Sequence, residues 1–180
     1  MSSDPWLVVI DMQEVFGRPG GDWFTPGYPA IEPTVVRLAE RFGERTVFTR
    51  FVAPEMPTGS WVEYYEQWPF ALVPHDDPIY EQMPAFRGLP GHVISRTTFG
   101  KWDAGLAAML GPEPEMVLAG VSTDCCVIST ALAAADAGVH VRVVSDACAG
   151  LTDLDHQRAL DAMALYAPLI EITTAAEVLG

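Results

Sequence analysis

Residues 116–127 read MVLAGVSTDCCV, and they decide the class of fold. The run from Met116 to Ala119 is apolar throughout and has the length of a buried strand. Gly120 ends that run, a turn of small and polar residues follows, and an alanine-rich helical segment extends over residues 126–137. A buried strand that leads through a short turn into a helix is typical of a parallel sheet covered by helices.

Strand and helix patterns alternate on both sides of this stretch. The other apolar runs of strand length are residues 6–10, 46–51, 93–95, 139–144 and 169–172. The other helical patterns are residues 33–42, 60–67, 103–110, 153–166 and 174–179, the last with a capping box from Thr174 to Glu177. The alternation predicts one domain over residues 1–180, of α/β class. We expect a doubly wound, mainly parallel six-stranded sheet with helices on both faces.

Residues with reactive or charged side chains follow several of the predicted strands. Asp11, Arg50, Arg96 and Asp146 stand at such ends, as does the segment after Gly120. In open α/β sheets, ligands bind outside the carboxyl ends of the strands, where the strand order reverses. The sequence therefore predicts the functional site at this edge of the sheet.

Composition and charge exclude several classes of partner. Asp and Glu number 24 against 10 Lys and Arg, which gives a net charge of −14. Such a field repels phosphate backbones and anionic lipid surfaces, so we expect neither nucleic acid nor a membrane as partner. No apolar run reaches membrane-spanning length, and the first five residues lack the basic stretch of a signal peptide. We therefore expect a cytoplasmic protein.

One region does not follow the strand and helix alternation. Residues 52–91 hold seven prolines interleaved with aromatic residues, and these prolines prevent any long regular element there. Long irregular stretches in compact domains often form lids or binding loops. The alternatives are a contact between subunits of a homo-oligomer and a satellite cluster of aromatic side chains.

The cysteines point to nucleophilic chemistry. Three cysteines, Cys125, Cys126 and Cys148, are too few and too irregular in spacing for a disulfide framework. A thiol at a helix N-terminus meets the positive end of the peptide dipoles, which favours the nucleophilic thiolate. The free N–H groups there could hold an oxyanion. The alternative is that these cysteines are small buried apolar residues.

A carboxylate could complete this chemistry. Asp11 directly follows the first apolar run, where it must be solvated or paired. If the first and fourth strands are neighbours, Asp11 faces the cysteine turn across the point where strand order reverses. It could then accept the thiol proton as a general base, and a nearby cation would hold the pair.

These motifs together resemble the isochorismatase-like cysteine hydrolases, a superfamily that includes nicotinamidases, N-carbamoylsarcosine amidases and streptothricin hydrolases. The matching segments are residues 8–13 with Phe16, 49–50, 120–127 with Thr130, 136–138 and 144–147. The resemblance implies that Cys126 is the nucleophile and Asp11 the base, and it assigns no catalytic role to Cys125. It also implies a cis peptide bond between Val121 and Ser122, with the Ser122 and Cys126 N–H groups forming an oxyanion hole.

The sequence departs from the superfamily pattern at two places. The lysine of the superfamily directly follows the third strand, and Arg96 occupies that position here, whereas Lys101 comes five residues later. Both are candidates for the catalytic cation, Arg96 by position and Lys101 by residue type. Nicotinamidases also carry metal ligands just after the second strand, where this chain has Phe51-Val52-Ala53-Pro54. We therefore expect no metal and no cofactor.

The predicted function is hydrolysis of a C–N bond in a small amide, imide or carbamoyl compound through a thioester. The substrate pocket is expected to be walled by Phe16, Trp61, Tyr64 and Trp68. One alternative is a non-catalytic binding or assembly module, in which Cys126 would be unreactive with an ordinary or raised pKa and the turn would contain no cis peptide bond. Another is hydrolysis of a vinyl ether, as in isochorismatases proper, which generally act without a thiol.

Overall fold

The apolar runs pair into one sheet in the computed structural model, which describes residues 4–112 and 114–180. The strands are β1 (Trp6–Ile10), β2 (Thr46–Phe51), β3 (His92–Arg96), β4 (Glu115–Val121), β5 (His140–Ala149) and β6 (Ile170–Thr173). Every pairing is parallel, and the order is β3-β2-β1-β4-β5-β6. The predicted fold class is confirmed, and the strand order reverses between β1 and β4.

Helices cover both faces of the sheet. They are α1 (Glu14–Gly17), α2 (Tyr28–Phe42), α3 (Trp61–Gln67), α4 (Ala104–Leu110), α5 (Ile128–Asp136), α6 (Asp153–Ala164) and α7 (Ala175–Leu179). On β1, Val8 and Ile10 pack in the core under α4, α5 and α6, whereas Leu7 and Val9 pack in the core under α2 and α7. The strand is therefore apolar on both faces, as a strand covered by helices on two sides must be.

Several boundaries differ from the predicted ones, and three of these differences have a clear structural reason. Helix α2 begins at Tyr28, five residues before the predicted start at Pro33, because Pro29 already lies in its first turn, where no N–H partner is needed. The predicted helix 126–137 is preceded by a π-helical turn, Thr123–Val127, and becomes α-helical only at Ile128. Strand β5 extends to Ala149, because its pairing with β4 resumes after an irregularity. The capping box at the start of α7 is confirmed.

Short turns and one helix make up the proline-rich region 52–91. Besides α3, it contains the 3₁₀ turns Pro69–Ala71, Pro78–Tyr80 and Pro84–Phe86, each with a proline in its first turn. Buried residues of this region form a third, smaller core with the end of β2: Phe51, Val52, Ala53, Tyr65, Ala71 and Tyr80. The region is thus a packed layer beyond the carboxyl end of the sheet. In the described part of the chain, every helix is too short or too polar to cross a bilayer.

Candidate active site

The site forms where β1 and β4 end side by side. Ile10 is paired with Gly120, and the two chains approach so closely that a Cβ on Gly120 would lie 2.1 Å from the Ile10 carbonyl oxygen. Gly120 also has φ of +115°, which side chains disfavour. Only glycine fits there, and it brings the turn after β4 against Asp11. Asp11 itself has φ of +49°, a left-handed conformation in which aspartate is enriched.

Asp11 is held in the interior by two side chains. Its carboxylate has no exposed surface, and the Thr49 hydroxyl donates to Oδ1 at 2.6 Å. Nζ of Lys101, also fully buried, lies 3.0 Å from Oδ2. The ammonium donates to the Thr98 carbonyl at 2.7 Å and lies 5.1 Å from the centre of the Phe51 ring. A buried carboxylate is thus neutralised by a buried cation, as its burial requires.

Of the two candidate cations, only Lys101 reaches Asp11. The guanidinium of Arg96 instead binds the carboxylate of Asp103, with Nη2 donating to Oδ1 at 3.0 Å. Asp103 is the N-cap of α4, and its Arg96 partner lowers the pKa of that carboxyl. Arg96 lies at the end of the edge strand β3 and is partly exposed, so the structure places it in a surface ion pair.

Cys126 lies beside Asp11 and is 5% exposed. Burial raises the pKa of its thiol well above the ordinary value, the charge and hydrogen bond of Asp11 raise it further, and Lys101 opposes this. The pKa of Cys126 is therefore raised rather than lowered, contrary to the expectation from the helix start, because burial and the adjacent anion both disfavour the thiolate. At neutral pH the group beside Asp11 is a thiol.

A raised pKa by itself also fits a structural cysteine. A structural cysteine, however, has no need of a carboxylate and an ammonium buried beside it, and removing two charges from water costs several kcal/mol per ion. Oδ2 of Asp11 is in contact with Nζ of Lys101 at 3.0 Å, and the carboxylate also accepts a hydrogen bond from the Cys126 thiol. The carboxylate is therefore placed to accept the thiol proton.

The turn that carries Cys126 has the expected backbone form. The peptide bond between Val121 and Ser122 is cis. The Ser122 carbonyl accepts hydrogen bonds from the Cys125 N–H at 3.2 Å and from the Val127 N–H at 3.0 Å. Ser122 and Cys126 both border the cavity described next, so an oxyanion between their N–H groups would face it. The oxyanion hole itself stays a prediction.

A cavity of about 290 Å³ opens in front of Cys126. It is lined by Phe16, Asp22, Trp23, Thr25, Phe51, Tyr64, Trp68, Phe99, Ser122, Asp124, Cys125, Cys126 and Leu151. Three of the four predicted pocket residues, Phe16, Tyr64 and Trp68, are among them. Trp61 is not, and it packs behind the wall with its ring centroid 5.2 Å from that of Tyr64 and 5.1 Å from that of Phe99.

Sequence reasoning missed two supporting residues of the site. Gln13 is fully buried, and its side chain bonds both the N–H and the carbonyl of Phe51 and the carbonyl of Tyr80. Thr130 accepts from the Lys101 N–H at 3.0 Å and donates to the Cys126 carbonyl at 2.7 Å. Both residues lie in the segments that resemble the superfamily. Their hydrogen-bond partners could not be predicted, because most of these partners lie in segments distant in sequence.

The other two cysteines have different environments. Cys125 is half-buried and borders the cavity, and its pKa is raised by burial and by Asp124. Cys148 is a buried residue of β5, and burial raises the pKa of its thiol to about 12. All three cysteines are free thiols. In the residues that the structure describes, no three His, Cys, Asp or Glu side chains are grouped so that they could hold a metal ion.

Comparison with known families gives one match over nearly the whole chain. A family model described as an isochorismatase domain matches residues 5–177. Isochorismatase domain-containing protein 2 of Xenopus laevis is 33% identical over 96 residues. That alignment covers 47% of this chain and 47% of the relative, so the chain matches about half the length of that curated protein.

Solved structures share the fold at lower identity. An isochorismatase-like hydrolase from Alkaliphilus metalliredigens has a TM-score of 0.80 at 18% identity over 98% of each chain. A cysteine hydrolase from Pseudomonas syringae has a TM-score of 0.82 at 19% identity, over 97% of this chain and 90% of that one. A nicotinamidase/pyrazinamidase from Acinetobacter baumanii has a TM-score of 0.78 at 23% identity, over 97% and 98%. At these identities the likeness shows the fold.

Proposed function

Because the chain belongs to the isochorismatase domain family, a family of hydrolases, we propose that it is a cysteine hydrolase acting on a C–N bond of a small amide, imide or carbamoyl compound. The observation that supports this most is the buried group of Asp11, Lys101 and Cys126 at the floor of an aromatic cavity. A small molecule is the proposed substrate, and neither a cofactor nor a metal is needed for the steps below.

The first step is attack by sulfur. Asp11 takes the thiol proton of Cys126 as the sulfur bonds to the carbonyl carbon, so the thiolate forms only when the substrate is present. Lys101 keeps a positive charge next to the carboxylate before the transfer. The N–H groups of Ser122 and Cys126 hold the oxyanion of the tetrahedral intermediate. The intermediate collapses to a thioester, and the amine or ammonia leaves with the proton from Asp11.

The second step returns the enzyme to its starting state. A water molecule attacks the thioester carbonyl and gives a proton to Asp11, and the same two N–H groups hold the oxyanion again. The C–S bond then breaks, the acid is released, and Cys126 takes the proton back from Asp11. One carboxylate therefore serves in both half-reactions.

An ammonia-release screen over small amides tests the proposal, with two matched variants. Cys126→Ala should abolish turnover of any amide that the wild-type protein hydrolyses, since it removes the sulfur. Cys125→Ala removes the neighbouring thiol from the same turn and should keep most of the activity. Full activity of the Cys126 variant, or equal loss in both, would contradict the assignment of the nucleophile.

A further inference from the structure

The charges around the cavity are of one sign. Its lining includes two carboxylates, Asp22 and Asp124, and no arginine, lysine or histidine among the residues that the structure describes. The other titratable groups of the lining are Tyr64, Cys125 and Cys126, and burial raises the pKa of all three, so they are uncharged at neutral pH. The cavity is therefore a negatively charged space in a protein whose net charge is −14.

Basic side chains near the cavity do not offset these carboxylates, and Arg18, which lines a neighbouring pocket with Asp22, is paired with Glu14. The Lys101 ammonium lies below Cys126, fully buried and neutralised by Asp11. His156 lies behind the turn, with Nδ1 2.8 Å from the Thr123 hydroxyl. Burial lowers the pKa of His156, so its ring is uncharged at neutral pH.

Asp124 is fixed in position beside the nucleophile. It is two residues before Cys126, and its Oδ1 accepts a hydrogen bond from the Leu151 N–H at 3.1 Å. Gly150 passes so close that a Cβ there would lie 2.8 Å from the same oxygen. One carboxylate oxygen is thus used by the backbone, and the charge is held at the rim of the cavity rather than free to turn into solvent.

Aromatic rings form much of the rest of the wall. Trp23 is the centre of this group, with ring centroids 6.0 Å from Phe16, 5.9 Å from Tyr64 and 6.2 Å from Trp68. The faces of such rings carry negative potential and attract cations, most strongly for tryptophan, and the effect grows when the cation is desolvated. Rings and carboxylates around one cavity favour the same kind of occupant.

From these observations we infer that the cavity selects a positively charged ligand. If the protein has the proposed function, the substrate is an amide that carries an ammonium, guanidinium or quaternary ammonium group close to the bond that is cleaved. A volume of about 290 Å³ limits it to the size of a single substituted ring or a short chain. The selection of a cation does not itself depend on catalysis, so it can be tested by binding.

The binding test compares three probes of similar size by calorimetry. Benzyltrimethylammonium should bind about tenfold more tightly than neutral benzyl alcohol, and anionic phenylacetate should not bind measurably. Benzyltrimethylammonium should also protect Cys125 and Cys126 from iodoacetamide, which locates it in the cavity. Equal or tighter binding of the neutral probe, or binding without protection, overturns the inference.

Two matched variants distinguish the effect of the charge in the cavity on ligand binding from the effect of the protein's net charge. Asp124→Asn should remove most of the preference for the cation over benzyl alcohol. Asp136→Asn makes the same change of charge at an exposed position at the far end of α5 and should leave the preference in place. An equal loss in both variants would show that only the general field attracts the cation, and it would overturn the inference.

Turnover distinguishes this inference from the proposed function. The pair is 4-(aminomethyl)benzamide, which is cationic at neutral pH, and 4-(hydroxymethyl)benzamide, which is neutral. Hydrolysis of the cationic amide with the higher kcat/KM supports both proposals, and preferred hydrolysis of the neutral amide overturns the inference alone. Cation binding at the cavity with no hydrolysis of any amide in the wider screen supports the inference and counts against the proposed function.

Discussion

At the scale of single residues, the site depends on a carboxylate that has no exposed surface. Asp11 meets Lys101 at 3.0 Å, Thr49 at 2.6 Å, and the thiol of Cys126 beside it. The charges of Asp11 and Lys101 act strongly on the Cys126 thiol, because a charge in the protein interior is poorly screened. Variants at these positions should therefore separate the charge state of the sulfur from its reactivity with substrate.

The first prediction concerns Asp11→Asn. The change removes the negative charge that raises the pKa of Cys126 and replaces one carboxylate oxygen with an NH2 group, and it leaves Lys101, which lowers that pKa. The pKa of Cys126 should fall, so alkylation by iodoacetamide should reach half its maximal rate at lower pH than in the wild-type protein. Amide turnover should nevertheless fall by about 100-fold or more, because the base is lost.

Cys125 is an internal control for that experiment. Its pKa is raised by burial and by Asp124 and lowered by Lys101, with no contribution from Asp11, so its alkylation profile should move far less than that of Cys126. A Cys126 profile that stays in place or moves to higher pH would show that Asp11 does not set the charge state of this thiol.

The second prediction decides between the two candidate cations. Lys101→Met leaves Asp11 buried without a partner and should lower the free energy of unfolding by about 3–5 kcal/mol, with loss of turnover. Arg96→Met breaks a partly exposed ion pair with Asp103 and should lower the free energy of unfolding by about 1 kcal/mol or less. Turnover by this variant should stay close to that of the wild-type protein. Urea unfolding and ammonia release measure both effects. Larger losses in Arg96→Met than in Lys101→Met would show that Arg96 is the catalytic cation.

At the scale of elements, α5 joins the parts of the site that come from different loops. The Thr130 hydroxyl, in the first turn of α5, links the Lys101 N–H to the Cys126 carbonyl. It contacts neither the carboxylate nor the sulfur directly, so its effect on the chemistry passes through the backbone. The helix thereby sets how the ammonium and the thiol stand relative to each other.

The third prediction tests this link. Thr130→Val leaves a buried N–H and a buried carbonyl without their partner and should cost about 1–3 kcal/mol of stability. It should also lower kcat more than it raises KM, since the cavity wall is unchanged. Thr130→Ser keeps the hydroxyl and should restore most of kcat, although it also removes a methyl group. Failure of serine to restore kcat would mean that Thr130 serves packing alone.

The sequence predicted the elements better than the details of the site. Alternating apolar runs determine the sheet, and the neighbouring ends of β1 and β4 then bring Asp11 to Cys126. The sequence could not decide between Arg96 and Lys101 as the catalytic cation, because the path of the loop over residues 97–103 determines which of the two side chains points into the protein. Trp23 was missed because it lies in a loop without periodic pattern, and the raised pKa of Cys126 was missed because it depends on burial by distant segments.

At the scale of the whole molecule, burial of titratable groups should make stability depend on alkaline pH. The pKa of Cys148 is raised to about 12 and that of Tyr80 also to about 12, both mainly by burial. In the unfolded chain these groups titrate near their ordinary values, about 8.5 and about 10. The folded state therefore keeps protons that the unfolded state has already lost.

The fourth prediction follows from this difference in bound protons between the folded and unfolded states. As pH rises towards 12, the free energy of unfolding should fall by about 1.4 kcal/mol per pH unit for Cys148 from about pH 8.5 and additionally for Tyr80 from about pH 10. Urea unfolding at pH 7.5 and pH 10 measures the fall. Cys148→Ala should be less stable at pH 7.5 but should lose less stability between the two pH values. An identical loss in the variant would show that Cys148 does not contribute.

The proline-rich region 52–91 contributes to the molecule in two respects, since its buried residues form the third core with the end of β2 and it also lines the cavity. Its helix α3 and the residue after it provide two cavity walls, Tyr64 and Trp68, which fits the expectation of a lid. A homo-oligomer with this region at the contact stays a prediction, and so does a cytoplasmic location.

The central claim is that Cys126 forms a thioester with the substrate, and mass spectrometry tests it most directly. An amide that the protein hydrolyses is mixed with the Cys125→Ala variant, quenched in acid within the first turnover, and digested. We predict that the peptide with Cys126 gains the mass of the acyl group and loses it on treatment with hydroxylamine. Product formation with no adduct on that peptide, or an adduct on Cys148 instead, would contradict the account.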